Sequence, residues 1–337
     1  MSELPFPVQR SLLLASALEE RMLCNYHLSQ PATCRFWRRS INDLYLVRAG
    51  EARFVLRICP AGWRSYDHLS AEIELLNFLH EARISVPQPV RQKGGIYIQT
   101  LSAPEGPRFA ALFTFVPGAT YIRSEVQSHC YGQAIARLHT TTDSYPAGRA
   151  GFSFGPTEMV DEPLDRLRPL SAGHQGDLHY LREISNGLKQ ASSKLPRRAP
   201  QYGICHGDVN DGNILFGNHG QWTLLDFEYF GYGWRVFDIG TFVDNQLYHL
   251  GNTTEARAIW AAFLEGYQSI RPLSQTELEV LPSFVILRQI WLLGRGAKFS
   301  PNIGLNLFED WVFNRCMPLI REWMVEPWRP SGFEGRD

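Results

Sequence analysis

A run of polar residues between positions 206 and 213 carries the side chains of this sequence that could do chemistry. It contains His206, Asp208 and Asn213, and two short apolar stretches joined by a Gly-Asn-His-Gly turn lead from it to Asp226. A loop rich in Asn, Gly and Asp is often only a turn whose side chains bond to their own backbone. The ordered combination is more specific than any one of these residues, and it favours a reactive site.

The two apolar stretches predict a β-hairpin that places Asn213 opposite Asp226. This register pairs residue 217 with 222 and residue 216 with 223. An amide oxygen beside a carboxylate suits a hard cation such as Mg²⁺, which completes its shell with water and substrate phosphates. Asp208 would lie near that metal, where a carboxylate can accept the proton of an attacking hydroxyl.

The segment resembles the catalytic core of the superfamily of aminoglycoside phosphotransferases, choline kinases and type II homoserine kinases, which are small-molecule relatives of the protein kinases. Its HGDxxxxN loop and the following Asp-Phe resemble the protein-kinase catalytic loop and the metal-binding Asp-Phe-Gly. The resemblance implies that Asp208 is the catalytic base, that Asn213 and Asp226 are Mg²⁺ ligands and that His206 braces the loop. The pattern usually has a His where this chain has Asn210.

The same resemblance implies nucleotide-binding residues in the first third of the chain. Asn42 falls in a stretch similar to the nucleotide loop, although no glycine-rich loop is present. Arg57 stands where the family has its phosphate-contacting Lys, and a guanidinium can also fork onto phosphate oxygens. Glu72 resembles the helix Glu that pairs with this cation. Thr114 and Val116 resemble the hinge, whose backbone groups hydrogen-bond adenine.

Two further positions match the family's supporting residues. Asp238 resembles the Asp that braces the catalytic loop from the following helix, and His139 ends a helix in the family's Leu-His pair. Both are expected to be structural. The block from Phe263 to Glu277 looks most like the homoserine-kinase and bacterial stress-response-kinase branches.

The elements that must position these residues change in type along the chain. Hydrophobic patterns predict a first helix around Leu14–Met22, strands near 44–47, 53–58, 95–98 and 109–116, and a helix from 69 to 80. Helices dominate after the Pro-Gly turn at 117–118; they are predicted at 127–139, 177–195, 255–271, 276–295 and 306–325, around a strand-rich island at 202–226.

This order of elements predicts an α+β fold in two lobes. The resemblance specifies a protein-kinase-like fold with a small antiparallel-sheet N-lobe and a larger, mainly helical C-lobe. The expected bounds are a nucleotide-binding lobe over 1–113, a hinge over 114–118, a helical lobe with the catalytic loop and acceptor pocket over 119–325, and a loose tail over 326–337.

Composition excludes several classes of function. The chain has 337 residues, with 33 basic and 34 acidic side chains, and this balance argues against nucleic-acid binding. Six scattered cysteines without a CxxC pair indicate reduced thiols. Because no apolar stretch approaches the roughly 18 residues of a membrane span, we expect a cytoplasmic protein without membrane contact.

The resemblance implies a kinase that uses ATP and Mg²⁺ to phosphorylate a hydroxyl group. Only residues 227–237 separate Asp226 from Asp238, and no Ala-Pro-Glu motif follows, so the chain lacks the long segment on which protein kinases dock peptides. The aromatic residues of 227–237 suit the wall of a small-molecule pocket. The sequence therefore favours a small-molecule acceptor.

Candidates for the rest of the pocket are Asp244, Tyr248, Trp260, Arg288 and Trp291. Aromatic rings with acidic neighbours favour an amine-bearing acceptor, such as an amino-alcohol, an amino acid or an aminoglycoside-like compound. A Ser/Thr protein kinase of the stress-response type and a nucleotide-binding pseudokinase scaffold are the alternatives. The identity of the acceptor, the choice between ATP and GTP and the oligomeric state stay open.

Overall fold

The computed structural model describes residues 6–146 and 151–325, and it divides the chain into two compact units. The chain passes from the first unit to the second between Pro117 and Gly118, inside the segment expected to be the hinge. The expected loose tail, 326–337, lies outside the described residues. In the part of the chain described, no helix is long and apolar enough to cross a membrane.

The first unit is built on a five-stranded antiparallel sheet with the order β1-β2-β3-β5-β4. Its strands are β1 (Ala32–Arg39), β2 (Asp43–Ala49), β3 (Ala52–Ile58), β4 (Ile98–Ala103) and β5 (Gly106–Thr114). The unit also contains the helices α1 (Ala15–Arg21) and α2 (Tyr66–Glu81). The α2 helix begins at Tyr66 because the Ser65 side chain caps it, accepting a hydrogen bond from the His68 N–H.

The observed strands of the first unit differ from the predicted ones in two places. The strand predicted at 95–98 begins only at Ile98, since the residues before it form a turn in which Gly95 has φ +84°. Strand β1 has no predicted counterpart because most of its residues after Cys34 are exposed, so it lacks the apolar alternation by which strands are recognised.

Among its described residues, the second unit combines eight α-helices with two small sheets, of order β10-β9-β6 and β7-β11-β8. The strands are β6 (Ala119–Thr120), β7 (Phe152–Phe154), β8 (Tyr202–Cys205), β9 (Ile214–Phe216), β10 (Trp222–Leu224) and β11 (Gly231–Trp234). The helices are α3 (Glu125–Thr141), α4 (Glu162–Leu167), α5 (Gln175–Ser193), α6 (Val236–Leu250), α7 (Thr254–Gln268), α8 (Gln275–Ile303), α9 (Leu305–Glu309) and α10 (Met317–Val325). The α+β prediction is confirmed.

Helix α8 is longer than predicted. A capping box of Ser274 and Glu277 starts it, and it continues past the predicted end at 295 to Ile303. Gly294 and Gly296, within the extended part of the helix, allow close packing. A Cβ atom at Gly294 would lie 2.4 Å from Pro163, and one at Gly296 would lie 2.4 Å from the Trp311 ring.

The helix predicted at 306–325 is interrupted. A π-helical stretch, Asp310–Cys316, separates α9 from α10 and carries Trp311. A π-helical bulge of this kind rotates the following side chains relative to a regular α-helix, and such bulges are frequent at functional sites.

The aromatic segment 227–237, which was predicted to form a pocket wall, is largely part of the core. Its side chains Phe227, Phe230 and Trp234 are buried, and β11 within it pairs in parallel with β7 and antiparallel with β8. Gly231 permits this approach because a Cβ there would lie 2.1 Å from the Phe152 carbonyl oxygen.

Candidate active site

The loop after β8 is held from behind by Asp238, in the first turn of α6. The Asp238 Oδ2 accepts a hydrogen bond from the His206 N–H at 2.6 Å, and its Oδ1 accepts from the Gly207 N–H at 2.8 Å. Gly207 has φ +82°, and a Cβ atom there would lie 2.2 Å from the Tyr229 carbonyl oxygen. Only glycine fits this position. The backbone of Gly207 and the two hydrogen bonds to Asp238 therefore fix the path of the loop.

His139 supports the same carboxylate. Its Nε2 lies 2.9 Å from Asp238 Oδ2 and its Nδ1 lies 2.8 Å from the Tyr267 hydroxyl. Burial lowers the pKa of His139 to about 4, so the ring is neutral at pH 7. Of the two ring nitrogens Nε2 therefore carries the proton and donates to Asp238, while Nδ1 accepts from Tyr267.

His206 connects the loop to the end of β10. Burial lowers the pKa of this histidine, which favours the neutral ring. The Asp208 N–H donates to His206 Nδ1 at 3.3 Å, so Nε2 carries the proton and donates to the Leu225 carbonyl oxygen at 2.9 Å. The side chain thus ties Asp208 to the residue that precedes Asp226.

Asp208 is held by one partner on each carboxylate oxygen. Its Oδ1 accepts from Arg288 Nη2 at 2.5 Å, and its Oδ2 accepts from Asn213 Nδ2 at 3.0 Å. Burial alone would raise the pKa of Asp208, but the charges of Arg288 and Arg295 outweigh burial and lower it. The side chain is 16% exposed, so an ionised carboxylate remains accessible at the surface of this unit.

The β9–β10 hairpin exists as predicted, but its register differs by one residue. Trp222 pairs with Phe216, and the Leu225 N–H donates to the Asn213 carbonyl oxygen at 2.9 Å, so Asn213 lies opposite Leu225 and not Asp226. The cause is a turn that is one residue shorter than assumed. The Gly217 N–H bonds to the Gln221 carbonyl oxygen and leaves only 218–220 in the turn, closed by Gly220 at φ +74°.

Asn213 and Asp226 each carry an oxygen atom of the kind that a hard cation prefers. Asn213 uses Nδ2 for both Asp208 Oδ2 and the Asp208 carbonyl oxygen, which leaves its Oδ1 for a metal. Asp226, exposed and in the left-handed conformation at φ 58°, follows directly after Leu225. Within 6–146 and 151–325 no group of three or more His, Cys, Asp or Glu could hold a metal. A metal here would therefore need water or phosphate ligands as well, as Mg²⁺ prefers.

A cavity of about 470 Å³ opens beside Asp208 within the second unit. Asp208 and Asp211 of the loop, Asp244 and Tyr248 of α6, Arg288 of α8 and Trp311 are among its lining residues. Three of the five predicted pocket residues, Asp244, Tyr248 and Arg288, therefore line it. Trp260 and Trp291 do not: both rings are buried, and Trp291 packs against Phe154 and Phe237.

The cavity has an acidic and aromatic side. Burial raises the pKa of Asp244 to about 7, and its Oδ1 accepts from Gln289 Nε2 at 2.5 Å. Asp211 accepts from Gln246 Nε2 at 2.9 Å and pairs with Arg123. Tyr248 and Trp311 are aromatic lining residues of the cavity, and the Arg315 guanidinium lies 4.2 Å from the Tyr248 ring centroid.

Sequence reasoning missed a second arginine near Asp208. Arg295 follows Arg288 by two helical turns on α8, and its guanidinium lies 3.3 Å from the Tyr229 ring centroid and 4.6 Å from that of Trp291. Burial lowers the pKa of Arg295 to about 10, and Asp208, Glu228 and Asp226 act electrostatically on it. The seven-residue spacing of the two arginines was the signal in the sequence, since it puts both on one helix face.

In the first unit, Arg57 and Glu72 form an ion pair, with Arg57 Nη2 at 2.7 Å from Glu72 Oε2. Arg64, which the sequence did not single out, pairs with the same Oε2 atom. Burial would raise the pKa of Glu72, but Arg57 and Arg64 outweigh it and lower the pKa to about 2. The buried carboxyl is therefore ionised, and its role toward a nucleotide stays a prediction.

The remaining nucleotide candidates also lie in the first unit. Asn42 is buried just before β2, and its carbonyl oxygen accepts from the Ser40 N–H at 3.0 Å. Thr114 ends β5, and its N–H already donates to the Gln88 carbonyl oxygen at 2.9 Å. Of the Thr114 backbone, only the carbonyl group is thus left for the predicted adenine contact. Val116 lies beyond the strand.

Comparisons with known proteins place the chain in a family. The model of the phosphotransferase enzyme family matches residues 33–273. An uncharacterized protein of Synechocystis sp. is 33% identical over 85% of this chain and 79% of its own length. A homoserine kinase of Acidiphilium cryptum is 28% identical over 80% and 78%.

A solved structure shows the same fold. An amicoumacin kinase in complex with AMP-PNP, Ca²⁺ and Ami has a TM-score of 0.78 over 94% of this chain and 96% of that one, at 20% sequence identity. The fold is therefore protein-kinase-like, as expected. The chain belongs to the phosphotransferase enzyme family, and it is an enzyme of the kinase type that uses an alcohol group as acceptor.

Proposed function

We propose that the protein transfers the γ-phosphate of ATP to a hydroxyl group of a small, amine-bearing molecule. The observation that carries this proposal is that one cavity is lined both by the ionised Asp208 and by an acidic and aromatic side with Asp244, Tyr248 and Trp311. A hydroxyl at the Asp208 end and an ammonium group at the other would both find partners there.

Asp208 is the proposed catalytic base. Its low pKa makes it a weak base, so it would first orient the acceptor hydroxyl and then receive its proton as the new bond to phosphorus forms. Asn213 Oδ1 and the Asp226 carboxylate are the proposed ligands for Mg²⁺. A divalent ion held there would neutralise charge on the phosphates.

Arg57, positioned by Glu72, is the proposed phosphate contact of the first unit, with Asn42, Thr114 and Val116 as further nucleotide-binding residues. The ion pair supports this assignment because Arg57 is already ordered. The related kinase solved with AMP-PNP and Ca²⁺ supports a nucleotide and a divalent cation as ligands.

A screen for Mg-ATP consumption over hydroxyl compounds tests the proposal. Homoserine, ethanolamine and amicoumacin are the amine-bearing candidates, and ethylene glycol is the matched control for ethanolamine because it keeps the hydroxyl and lacks the amine. We expect turnover with at least one amine-bearing compound and little with its amine-free analogue. Phosphorylation of a generic protein such as casein, with no turnover on any small hydroxyl compound, would instead favour a Ser/Thr protein kinase.

The Asp244→Asn variant is expected to bind an amine-bearing acceptor less well and to lose the pH dependence of that binding. With a pKa of about 7, the wild-type carboxyl gains its charge as the pH rises from about 6 to about 8. The acceptor KM of the wild type should therefore fall over this range, while the KM of the variant stays high and flat. Steady-state kinetics with saturating ATP measure both.

The same variant should be more stable than the wild type at alkaline pH. Because the folded pKa of Asp244 lies above the ordinary value of about 3.9, the folded state binds this proton more tightly than the unfolded chain does. The wild type thus loses stability between about pH 4 and about pH 7, and the Asn variant is spared this loss. Thermal unfolding at about pH 8 that is unchanged by the substitution would contradict the raised pKa.

A further inference from the structure

One carboxylate oxygen in the first unit holds two arginines. Glu72 Oε2, on α2, accepts from Arg57 Nη2 at 2.7 Å and from Arg64 Nη1. Arg57 lies on β3, whereas Arg64 lies on the connection between β3 and α2. The side chain of Arg57 is 10% exposed and that of Arg64 only 2%. Arg57 is therefore the more accessible of the two cations.

Arg64 is fixed at a second point. Its Nη2 donates to the His68 carbonyl oxygen at 3.1 Å, so the Arg64 guanidinium is bound to the first turn of α2 as well as to Glu72. Two hydrogen bonds from one guanidinium hold its plane in place. The Arg57 guanidinium lies over the Phe113 ring, 4.8 Å from its centroid.

The charges explain why a second arginine matters. Glu72 is ionised, so this group of three side chains contains two positive charges and one negative charge. An arginine that turns toward phosphate oxygens weakens its bond to Glu72. If Arg57 were the only partner, this would leave a buried carboxylate uncompensated, which is strongly unfavourable. With Arg64 in place, Glu72 keeps a charged partner throughout.

We propose that Arg64 is a positioning residue for nucleotide binding: it keeps the charge of Glu72 compensated while Arg57 binds the phosphates. The inference rests on the proposed nucleotide role of Arg57. It goes beyond that role because it assigns a function to a residue that need not touch the nucleotide. It also predicts that the effect of Arg64 passes through Glu72.

Equilibrium binding of ATP and of AMP, by calorimetry without any acceptor, tests the inference. The Arg64→Gln variant should bind ATP about tenfold more weakly, which corresponds to about 1.4 kcal/mol, and should bind AMP as the wild type does. Arg64→Lys keeps the charge beside Glu72 and should restore most of the ATP affinity. In a Glu72→Gln background, Arg64→Gln should have little further effect, because no carboxylate then needs compensation.

The control is Arg57→Ala, which should also weaken ATP binding more than AMP binding. Unchanged ATP affinity in this control would mean that the proposed nucleotide role of Arg57 is wrong. A weakened control together with wild-type ATP binding by Arg64→Gln would overturn the role of Arg64 alone. Equal losses for ATP and AMP, or a Lys variant as weak as the Gln variant, would show that Arg64 is only structural and would also overturn the inference.

Discussion

An Asp208→Asn variant is expected to bind ATP nearly as tightly as the wild type and to lose turnover by a factor on the order of a thousand. The amide keeps one carbonyl oxygen that can accept from Arg288, while its NH2 group loses the hydrogen bond from Asn213 Nδ2. Asn213 stays bound to the backbone carbonyl of residue 208 and Asp238 still holds the loop, so the loop should keep its shape. It has no negative charge and cannot take the proton of an acceptor hydroxyl. Single-turnover kinetics at saturating ATP and acceptor, with the nucleotide affinity measured separately, separate the loss of chemistry from a loss of binding.

The matched control is Asp165→Asn, the same substitution on the exposed surface of α4, where Asp165 makes only a loose pair with Arg168 at 3.8 Å. This control should keep full activity, since exposed pairs of this kind contribute little. The assignment of Asp208 as the base would be wrong if its Asn variant kept about a tenth of the wild-type turnover, because a lost general base costs at least a hundredfold.

Removing either proposed metal ligand should have unequal effects. Asp226→Ala is expected to abolish turnover at every Mg²⁺ concentration, because it removes the one charged ligand of the pair. Asn213→Ala should be partly rescued by excess Mg²⁺, since the charged ligand and the phosphates remain. Rates measured across a Mg²⁺ titration for both variants give the comparison.

Asn218→Ala is the matched control for Asn213→Ala, because it makes the same change in the exposed turn of the same hairpin. It should show the Mg²⁺ dependence of the wild type. An Asp226→Ala enzyme that is active at ordinary Mg²⁺ would exclude this aspartate as a metal ligand. A rescue of Asp226→Ala by Mg²⁺ as complete as that of Asn213→Ala would show that the two ligands are equivalent.

The hairpin illustrates what the sequence could predict about the site. The types and spacing of residues within 206–226 predicted a loop with Asp208, followed by two strands that run from Asn213 to Asp226. These features depend only on residues that are close together in the sequence. The register differed by one residue because it depends on turn length, which the left-handed backbone of Gly220 sets. A turn of three or four residues is equally compatible with the sequence Gly-Asn-His-Gly.

Partners that are distant in sequence could not be predicted in the same way. Arg288 binds Asp208 across 80 positions, and nothing in the local pattern of either residue indicates the pairing. The contact exists because α8 runs past the loop that carries Asp208, and the sequence predicted the end of that helix too early. Its glycines at 294 and 296 weaken a helix in isolation, but here they admit Pro163 and Trp311. Tertiary packing therefore overrode local preference.

The position of Trp311 has a consequence for how acceptor specificity can change in this family. Asp208, Asn213 and Asp226 all lie inside the segment that matches the family, 33–273, whereas Arg288 and Trp311 lie beyond it. The part of the cavity wall formed by Arg288 and Trp311 thus comes from helices outside the segment that the family model matches. Exchange of the short stretch around the π-helix would reshape that wall without touching the transfer machinery. We expect members of this family that use different acceptors to differ in the sequence of their C-terminal helices. The residues proposed for phosphate transfer should stay the same.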